Sequence, residues 1–253
     1  MLIGAQTYTI RNYTQNEKDF RESMKRIADI GYECVQLSAV GNIPVEVQRE
    51  VCDAYGLKIV LTHTNPDRML TDTEGVIRDH DVLGCDYIGI GMMVNKYQTA
   101  EWIDQFAKDY AEPAKKMRDA GKYFMYHNHN LEWSKLNDGR RIIDVLLEQM
   151  PADLMGFTLD TYWLQAAGCD VVKWIKKLQD RIPCVHLKDM AVHGRETRFA
   201  AIGEGNMDFP EILATLKELG KTKYLLVEQD DCYGESPFDC LETSLKNIRK
   251  MGY

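Results

Sequence analysis

The sequence predicts an α/β fold and, within that class, a single (β/α)₈ TIM barrel over residues 1–253. Eight short apolar segments alternate with segments of helical period, and no hairpin signal interrupts the alternation. No Pro/Gly/Ser-rich linker or low-complexity tract divides the chain, and 253 residues suffice for one such barrel. An open, doubly wound sheet is the alternative that this pattern leaves.

The predicted strands are short runs rich in apolar and β-branched residues. They span residues 4–10, 34–37, 58–62, 87–91, 122–129, 156–160, 182–188 and 224–228. The intervening helices are predicted at 16–30, 45–55, 71–83, 99–120, 141–148, 171–178 and 208–219, and a last helix starts at Ser236. Gly31 and Gly56 are typical helix ends, and Asp170 and Asp208 are typical helix starts. Pro113 predicts a kink or break in the fourth helix.

Composition and charge exclude several classes of function. The chain has 31 Lys and Arg residues against 39 Asp and Glu residues, a net charge of −8, so its field repels nucleic acid. The first residues carry no signal-peptide pattern, and no apolar run reaches the roughly 20 residues of a membrane span. We therefore expect a cytosolic protein. The seven cysteines include no C-x-x-C pair and are expected to be buried free thiols.

Polar side chains stand at the ends of several predicted strands. In a (β/α)₈ barrel, the active site forms at these C-terminal ends. The residues are His63, His127, His129, Glu132, Asp160, His186, Lys188 and Glu228. Because strand side chains alternate, His186 and Lys188 share one face, and so do His127 and His129. The histidine pair also has a simpler interpretation, as a structural pair hydrogen-bonded within a loop.

Three carboxylates and one imidazole from successive segments would make a mixed oxygen and nitrogen site for one divalent metal ion. Mn²⁺ is the first expectation for such ligands, and Mg²⁺, Co²⁺ or Zn²⁺ would also fit. The alternative is a set of salt bridges to Lys188, Arg195 and Arg198, because buried acids are normally paired.

Five blocks of the sequence, in order, resemble the sugar phosphate isomerase/epimerase family, which belongs to the xylose isomerase-like TIM barrels. The blocks are residues 127–133 (HNHNLEW), 159–163 (LDTYW), 186–189 (HLKD), 203–209 (GEGNMDF) and 227–230 (VEQD). The resemblance implies that Glu132, Asp160, His186 and Glu228 are the four metal ligands. In the related ketose 3-epimerases, glutamates at the positions of Glu132 and Glu228 also serve as acid and base on opposite faces of the sugar.

The chain departs from its relatives at several positions. Ketose 3-epimerases carry a histidine where this chain has Trp163 and an arginine where it has Val192, so a standard ketose 3-epimerase is not expected. The apurinic endonucleases of the same superfamily need extra ligands for a three-metal cluster. Trp163 replaces one of these, and residues 199–201 (FAA) stand where a D-x-H pair would be expected. Only one metal site remains in the sequence.

The expected partner is a small-molecule carbohydrate without a phosphate group. Glu204 lies in the glycine-rich stretch after the seventh strand, and acidic residues follow the eighth, which would repel a dianion. Arg195 and Arg198 are the groups that could still reach a phosphate. A neutral sugar, a keto-sugar or glycoside, or an inositol derivative is favoured. The sequence leaves open whether the protein forms a homo-oligomer or is a subunit of a larger complex.

The expected reaction is a metal-assisted proton transfer next to a carbonyl, through an enediolate. Glu132 or Glu228 would remove the proton, with His129 as a further acid/base group and Lys188 near the developing oxyanion. Epimerisation, isomerisation and elimination stay open, and the last would make the protein a lyase such as an inosose-type dehydratase or a 3-keto-glycoside deglycosylase. A non-catalytic sugar-binding subunit is a third interpretation.

Four further residues are candidates for substrate contact. His63 follows the third strand, and His127 would contact substrate or support a ligand. Trp133 and Trp163 closely follow the expected ligands Glu132 and Asp160 and would form an apolar wall against a sugar ring. The alternative for both tryptophans is ordinary packing between barrel and helices.

Overall fold

The computed structural model describes all 253 residues, Met1–Tyr253. Its strands are β1 (Leu2–Gln6), β2 (Cys34–Leu37), β3 (Lys58–His63), β4 (Tyr87–Ile90), β5 (Tyr123–His127), β6 (Met155–Asp160), β7 (Cys184–Leu187), β8 (Asp189–His193), β9 (Glu196–Ala200) and β10 (Tyr224–Val227). Eight of them form a closed parallel barrel in the order β1-β10-β7-β6-β5-β4-β3-β2, and β8 pairs only with β9. The predicted (β/α)₈ barrel is confirmed.

The α-helices surround the barrel. They are α1 (Glu17–Ile30), α2 (Val45–Ala54), α3 (Pro66–Thr71), α4 (Thr73–Leu83), α5 (Ile103–Asp119), α6 (Ile142–Gln149), α7 (Thr161–Ala166), α8 (Val171–Leu178), α9 (Phe209–Leu219) and α10 (Pro237–Lys250). Side chains of Asp170, Asp208 and Ser236 accept backbone N–H groups at the starts of α8, α9 and α10. These caps set the helix starts that the sequence predicts.

The predicted first strand, residues 4–10, ends already at Gln6, because Thr7–Tyr13 form a 3₁₀ helix. Three further features differ from the expectation. The helix α5 continues through Pro113 without a break. Two short helices, α3 and α7, extend the loops after β3 and β6. The third difference is an antiparallel hairpin, β8–β9, after β7, where no hairpin was expected. It turns at Gly194, whose φ of 65° a glycine adopts without steric cost.

Two apolar clusters hold the barrel together. The larger one, with 56 buried residues, fills the layer between strands and helices. The smaller one fills the barrel interior with seven residues: Cys34, Val60, Leu61, Tyr87, Met125, Cys184 and Leu226. This interior cluster forms the floor beneath the C-terminal ends of the strands.

No helix of the chain combines the length and the apolar composition needed to cross a bilayer. All seven cysteines are free thiols, and five of them are buried.

Candidate functional site

The polar residues of the site lie directly above the apolar floor of the barrel. Side chains two residues apart on a strand point to the same face, so each interior core residue is followed by a polar residue nearer the mouth. The pairs are Cys34 and Gln36, Leu61 and His63, Met125 and His127, Cys184 and His186, and Leu226 and Glu228. The period of the strands therefore brings these polar groups together at the C-terminal end.

Four buried side chains converge there. His127, Asp160, His186 and Glu228 each offer one nitrogen or oxygen atom, and these atoms all lie within 4.8 Å of one another. None of the four residues is more than 3% exposed. They come from β5, β6 and β7 and from the residue after β10, so four strand ends position them.

The two imidazoles are held by hydrogen bonds on their outer nitrogens. His127 donates from Nδ1 to the carbonyl oxygen of Gly91 over 2.8 Å, and His186 donates from Nε2 to Oε1 of Gln36 over 2.6 Å. A neutral imidazole that donates from one nitrogen carries a lone pair on the other. In the neutral form of each ring, that lone pair lies on Nε2 of His127 and on Nδ1 of His186, the atoms that face the carboxylates. Burial opposes the charged ring, but the facing carboxylates Glu228 and Asp160 raise the pKa of His186, so they favour a proton on this Nδ1 when no cation is bound.

The two carboxylates are held in the same manner. Asp160 Oδ1 accepts the backbone N–H of Trp163 over 3.0 Å, and Glu228 Oε1 accepts Nε2 of Gln6 over 2.8 Å. Their second oxygens face the imidazoles, at 3.2 Å between His127 Nε2 and Asp160 Oδ2 and 2.9 Å between His186 Nδ1 and Glu228 Oε2. A nitrogen and a carboxylate oxygen at these distances need a proton or a cation between them. In each of the four side chains, one polar atom is fixed by a hydrogen bond to a neighbour and the other faces the centre of the group. This set of donor atoms therefore fits a divalent metal ion.

Lys188 supplies a buried positive charge beside this group. Its Nζ lies 3.1 Å from Asp160 Oδ2, 2.8 Å from Glu228 Oε2 and 2.9 Å from Asp230 Oδ1. Burial by itself would lower the pKa of Lys188, but the three carboxylates outweigh burial and raise it. Burial opposes the charged forms of Asp160 and Glu228 too, yet the Lys188 ammonium and the imidazoles hold the pKa of both carboxyls well below the usual range.

A cavity of about 260 Å³ opens beside the cluster at the barrel mouth. Its polar wall consists of Gln6, Ser38, His63, His127, His129, Lys188, Glu228 and Asp230. Tyr8, Ala39, Gly91 and Met92 complete the wall. Its size is at the lower end of small-molecule sites, which suits a ligand of monosaccharide size.

Comparison with known proteins agrees with this arrangement. The model of the xylose isomerase-like TIM barrel family matches residues 24–251. The chain belongs to this family. The resemblance seen in the five sequence blocks is thereby confirmed. A search of curated proteins finds no match.

Solved structures of this family share the fold across the whole chain. A sugar phosphate isomerase/epimerase from Parabacteroides distasonis is 23% identical, with a TM-score of 0.83 over 98% of this chain and 97% of that one. An L-ribulose 3-epimerase is 15% identical, with a TM-score of 0.76 over 99% and 94% of the two chains. The IOLI protein with a bound zinc atom is also 15% identical, with a TM-score of 0.75 over 99% and 98%.

Within this xylose isomerase-like barrel, the position of Glu132 is the main correction to the expected site. Glu132 does not join the converging group, and His127 takes its place. Its carboxylate accepts the hydroxyl of Tyr126 over 2.6 Å and the backbone N–H of His129 over 2.8 Å. Tyr126 points away from the barrel interior and packs edge-on against Phe106 and Phe157 in the outer layer. The turn at Leu131–Trp133 thus directs Glu132 outward, and it does not line the cavity.

Three of the residues expected to contact substrate do not line the cavity: Arg195, Arg198 and Trp133. Arg195 is exposed in the turn of the hairpin, and the Arg198 guanidinium stacks 4.9 Å from the centre of the Tyr233 ring. Neither arginine lines the cavity. Trp133 is 8% exposed and packs edge-on against Trp174, at 5.1 Å between ring centres. Trp133 therefore packs between barrel and helices, which was the alternative to contact with a sugar ring.

The remaining candidates lie in or beside the cavity wall. His63 contacts Ser38 Oγ over 3.0 Å through Nδ1 and stacks on His127 at 5.3 Å between ring centres. His129 packs against His127 and Trp163, and its buried Nδ1 has no hydrogen-bond partner. Burial lowers the pKa of His129 to about 3, so this imidazole is neutral at pH 7.

The sequence analysis missed Gln36, which fixes the orientation of His186. Its signal is a polar residue inside the four-residue apolar strand β2. Gln36 pairs in register with Gln6 of β1, which fixes Glu228. Polar residues inside short buried strands were therefore a usable indication of the groups that orient the site.

Proposed function

We propose that this protein is a divalent-metal-dependent sugar isomerase/epimerase that transfers a proton next to a carbonyl group. The substrate class is an unphosphorylated sugar, keto-sugar or inositol derivative. The observation that carries the proposal is the convergence of four buried donor atoms beside a cavity, each on a side chain whose outer atom is held by a neighbour.

His127, Asp160, His186 and Glu228 would hold the metal ion. Two imidazoles and two carboxylates are softer than the three carboxylates and one imidazole expected from the sequence. This set favours Mn²⁺, Co²⁺ or Zn²⁺ over Mg²⁺, which prefers oxygen ligands. When bound, such an ion would act as a Lewis acid towards negative charge that develops on substrate oxygens, an effect of several kcal/mol.

The side chains of the cavity wall would handle the proton. Epimerisation needs an acid/base group on each face of the sugar. Glu228 and Asp230 stand at the end of β10, whereas His129 follows β5, on another side of the barrel mouth. Nδ1 of His129 has no hydrogen-bond partner, so it would accept a proton in the tautomer with its N–H on Nε2, although burial opposes the charged ring. Glu132 has no part in this proposal, because it lies outside the cavity wall.

The charges around the cavity support an unphosphorylated substrate. Lys188 is the only lysine or arginine in the cavity wall, and three carboxylates already surround its ammonium group. Glu228 and Asp230 face the same space. A phosphate dianion would meet two carboxylates without a free cation, which is unfavourable in a partly buried site.

Elimination is a second candidate reaction, because Glu132 is absent from the cavity. Without it, only one of the two glutamates expected as acid and base remains there. A lyase needs one base to remove the proton and one acid to assist the leaving group. Glu228 with Asp230 or His129 would supply these roles, on an inosose or a 3-keto-glycoside.

Deuterium exchange distinguishes these reactions. Metal-loaded protein is incubated in D₂O with a panel of ketoses, keto-glycosides and inososes, and the products are followed by NMR. Deuterium incorporation with inversion at one carbon, or with movement of the carbonyl, supports the proposal. A vinylic product supports the lyase. No exchange in any compound, despite bound metal, would contradict both reactions and favour a sugar-binding role.

A further inference from the structure

The ammonium group of Lys188 contacts the same atoms that the site offers to a metal ion. Its Nζ lies 3.1 Å from Asp160 Oδ2 and 2.8 Å from Glu228 Oε2. These are the two carboxylate oxygens that face the imidazole lone pairs. An ammonium group and a divalent cation on the same two oxygens would repel each other strongly at this depth, since Lys188 is only 1% exposed.

The ammonium group of Lys188 has a further ion-pair partner, the carboxylate of Asp230. Asp230 Oδ1 lies 2.9 Å from Nζ and has no hydrogen-bond partner apart from this ion pair. Asp230 lies two residues beyond Glu228, and its side chain is 20% exposed, whereas those of Asp160 and Glu228 are at most 3% exposed. The ammonium can therefore keep one carboxylate partner while it leaves the other two.

The main chain of Lys188 is fixed, so the movement would be confined to the side chain. Its backbone N–H donates to Thr161 Oγ1 over 3.0 Å, and that hydroxyl donates to the Lys188 carbonyl over 2.9 Å. The four-carbon stem ends beside the rings of Trp163 and Phe199, at 5.6 and 5.7 Å from Nζ to the ring centres. Aromatic rings at this distance attract a cation and would help to keep the ammonium in this part of the site.

We propose that Lys188 is the internal counter-ion of the metal site: it pairs with Asp160 and Glu228 before metal binds and moves onto Asp230 when metal binds. The inference rests on the metal site of the proposed function but on no particular reaction. It explains how two buried carboxylates stay folded together without a metal, since an uncompensated buried charge is strongly destabilising. Lys188 is thus a positioning residue that stabilises the metal-free protein and weakens metal binding.

The variant Lys188→Met tests this role, because methionine retains much of the side-chain length and removes the charge. Mn²⁺ binding is measured by titration calorimetry, and the melting temperature is measured with and without Mn²⁺. We expect Lys188→Met to bind Mn²⁺ at least about tenfold more tightly and to melt at a lower temperature than wild type when metal-free. Lys221→Met, at an exposed residue before β10, is the charge-matched control and should behave as wild type.

The direction in which Mn²⁺ affinity changes in Lys188→Met tests the counter-ion role. Equal or weaker Mn²⁺ binding by Lys188→Met would overturn the counter-ion role, because a residue that merely positions the ligands would lower affinity when it is removed. Failure of the wild-type protein itself to bind Mn²⁺, Co²⁺ or Zn²⁺ would overturn both this inference and the proposed function. Normal metal binding by wild type, with no gain in the variant, would overturn the inference alone.

A second experiment covers the case in which Lys188→Met does not fold. In a crystal structure of the wild-type protein with Mn²⁺, Nζ of Lys188 should lie out of hydrogen-bond reach of Asp160 Oδ2 and within reach of Asp230. Asp230→Asn should then bind Mn²⁺ at least about tenfold more weakly, because the displaced ammonium loses its partner. Retention of the Asp160 contact beside bound metal would contradict the proposal.

Discussion

Glu228 combines two roles at the residue scale, because one oxygen is held by Gln6 while the other faces the imidazole of His186. Glu228→Gln keeps the shape of the side chain and removes its charge. We expect Mn²⁺ affinity to fall by more than about 100-fold, beyond the loss typical of residues that only support a ligand. Turnover should fall by about 10³-fold or more, as measured with the substrate found by deuterium exchange.

The control for this variant is Glu218→Gln, an identical change at an exposed position of α9. Both variants should fold, as judged by far-ultraviolet circular dichroism. Near-normal turnover in Glu228→Gln would refute the assignment of Glu228 as ligand and base.

Glu132→Gln separates the site predicted from the sequence from the one in the structure. Glu132 was expected to bind metal, but its carboxylate is hydrogen-bonded to Tyr126 and His129 in the outer layer. We therefore expect Glu132→Gln to bind Mn²⁺ within a few-fold of wild type, measured by calorimetry beside Glu228→Gln. A loss as large as that of Glu228→Gln would restore Glu132 to the ligand set.

The pH dependence of stability provides an independent test of the burial of Glu132. Burial raises the pKa of Glu132 from 4.5 to about 7, and hydrogen bonds from Tyr126 and from backbone N–H groups only partly oppose it. Between these values the folded protein holds a proton that the unfolded chain has lost. The contribution of Glu132 to stability is therefore lost as the pH rises from about 4.5 to 7.

Urea unfolding of wild type and Glu132→Gln across this range measures the effect. The free energy of unfolding of wild type should decrease relative to the variant by up to about 3 kcal/mol, and contributions of all other groups cancel in the difference. Glu218→Gln, at an exposed position of α9, is the control for the substitution itself. Parallel curves for wild type and Glu132→Gln would show that the Glu132 carboxyl is not perturbed.

At the scale of elements, the period of two along a strand predicts which side chains face the barrel interior. No such rule predicts the direction of a side chain in the loop that follows. Period two in β5 places Met125 and His127 inside the barrel and Tyr126 outside. Five residues after the strand ends, no period remains, and the path of the loop depends on tertiary contacts such as Tyr126 with Glu132. This explains why Asp160, His186 and Glu228, on or next to strands, lie together as the sequence suggested, whereas Glu132 lies outside their group.

The hairpin β8–β9 was missed although its turn has a local signal. His193 pairs with Glu196, which leaves the two-residue loop Gly194-Arg195. A glycine at the first position of such a loop favours the turns that close hairpins. The strand β8 follows β7 with only Lys188 between them, whereas the predicted seventh strand ends at Lys188 and residues 189–193 were assigned to no strand.

Gly194→Ala should weaken the hairpin without changing the barrel. A Cβ at this position meets no atom within 4 Å, so the cost comes only from the φ of 65° and should be about 1 kcal/mol. Amides of β8 and β9 should then exchange with solvent about fivefold faster in hydrogen-exchange experiments, while barrel amides stay unchanged.

Arg195→Ala is the matched control in the same turn. It should leave both amide exchange and KM unchanged, because Arg195 is exposed and does not line the cavity. A several-fold increase in KM for Arg195→Ala would instead restore the substrate contact that the sequence suggested.

For the whole molecule, the alternation of strands and helices was sufficient to predict the barrel, because a closed parallel barrel is one of few ways to bury eight such strands. The pairing of the first and last barrel strands, which closes the barrel, could not be predicted in this way. The strand β1 pairs with β10 from Leu2 with Tyr224 to Ala5 with Val227, across nearly the full length of the chain. No local pattern encodes this register, which follows from packing in the barrel interior.

Metal binding at the proposed site should stabilise the whole barrel, because the four candidate ligands come from four strand ends around the ring. An ion that binds only the folded protein adds about 2.7 kcal/mol at a concentration 100 times its Kd. For a chain of this size, that corresponds to an increase in melting temperature of roughly 5–11 °C. Differential scanning calorimetry with Mn²⁺, Co²⁺, Zn²⁺ and Mg²⁺ measures this increase and ranks the ions.

The ranking follows from the ligand set. With two imidazoles among the four ligands, Mg²⁺ should give the smallest shift at equal concentration. A chelator should reverse each shift, and Glu228→Gln should show none, since one strand end no longer contributes a charged ligand. A larger shift with Mg²⁺ than with Zn²⁺ would contradict the His127 ligand and favour an all-carboxylate site. Equal shifts in wild type and Glu228→Gln would place the bound ion elsewhere on the protein.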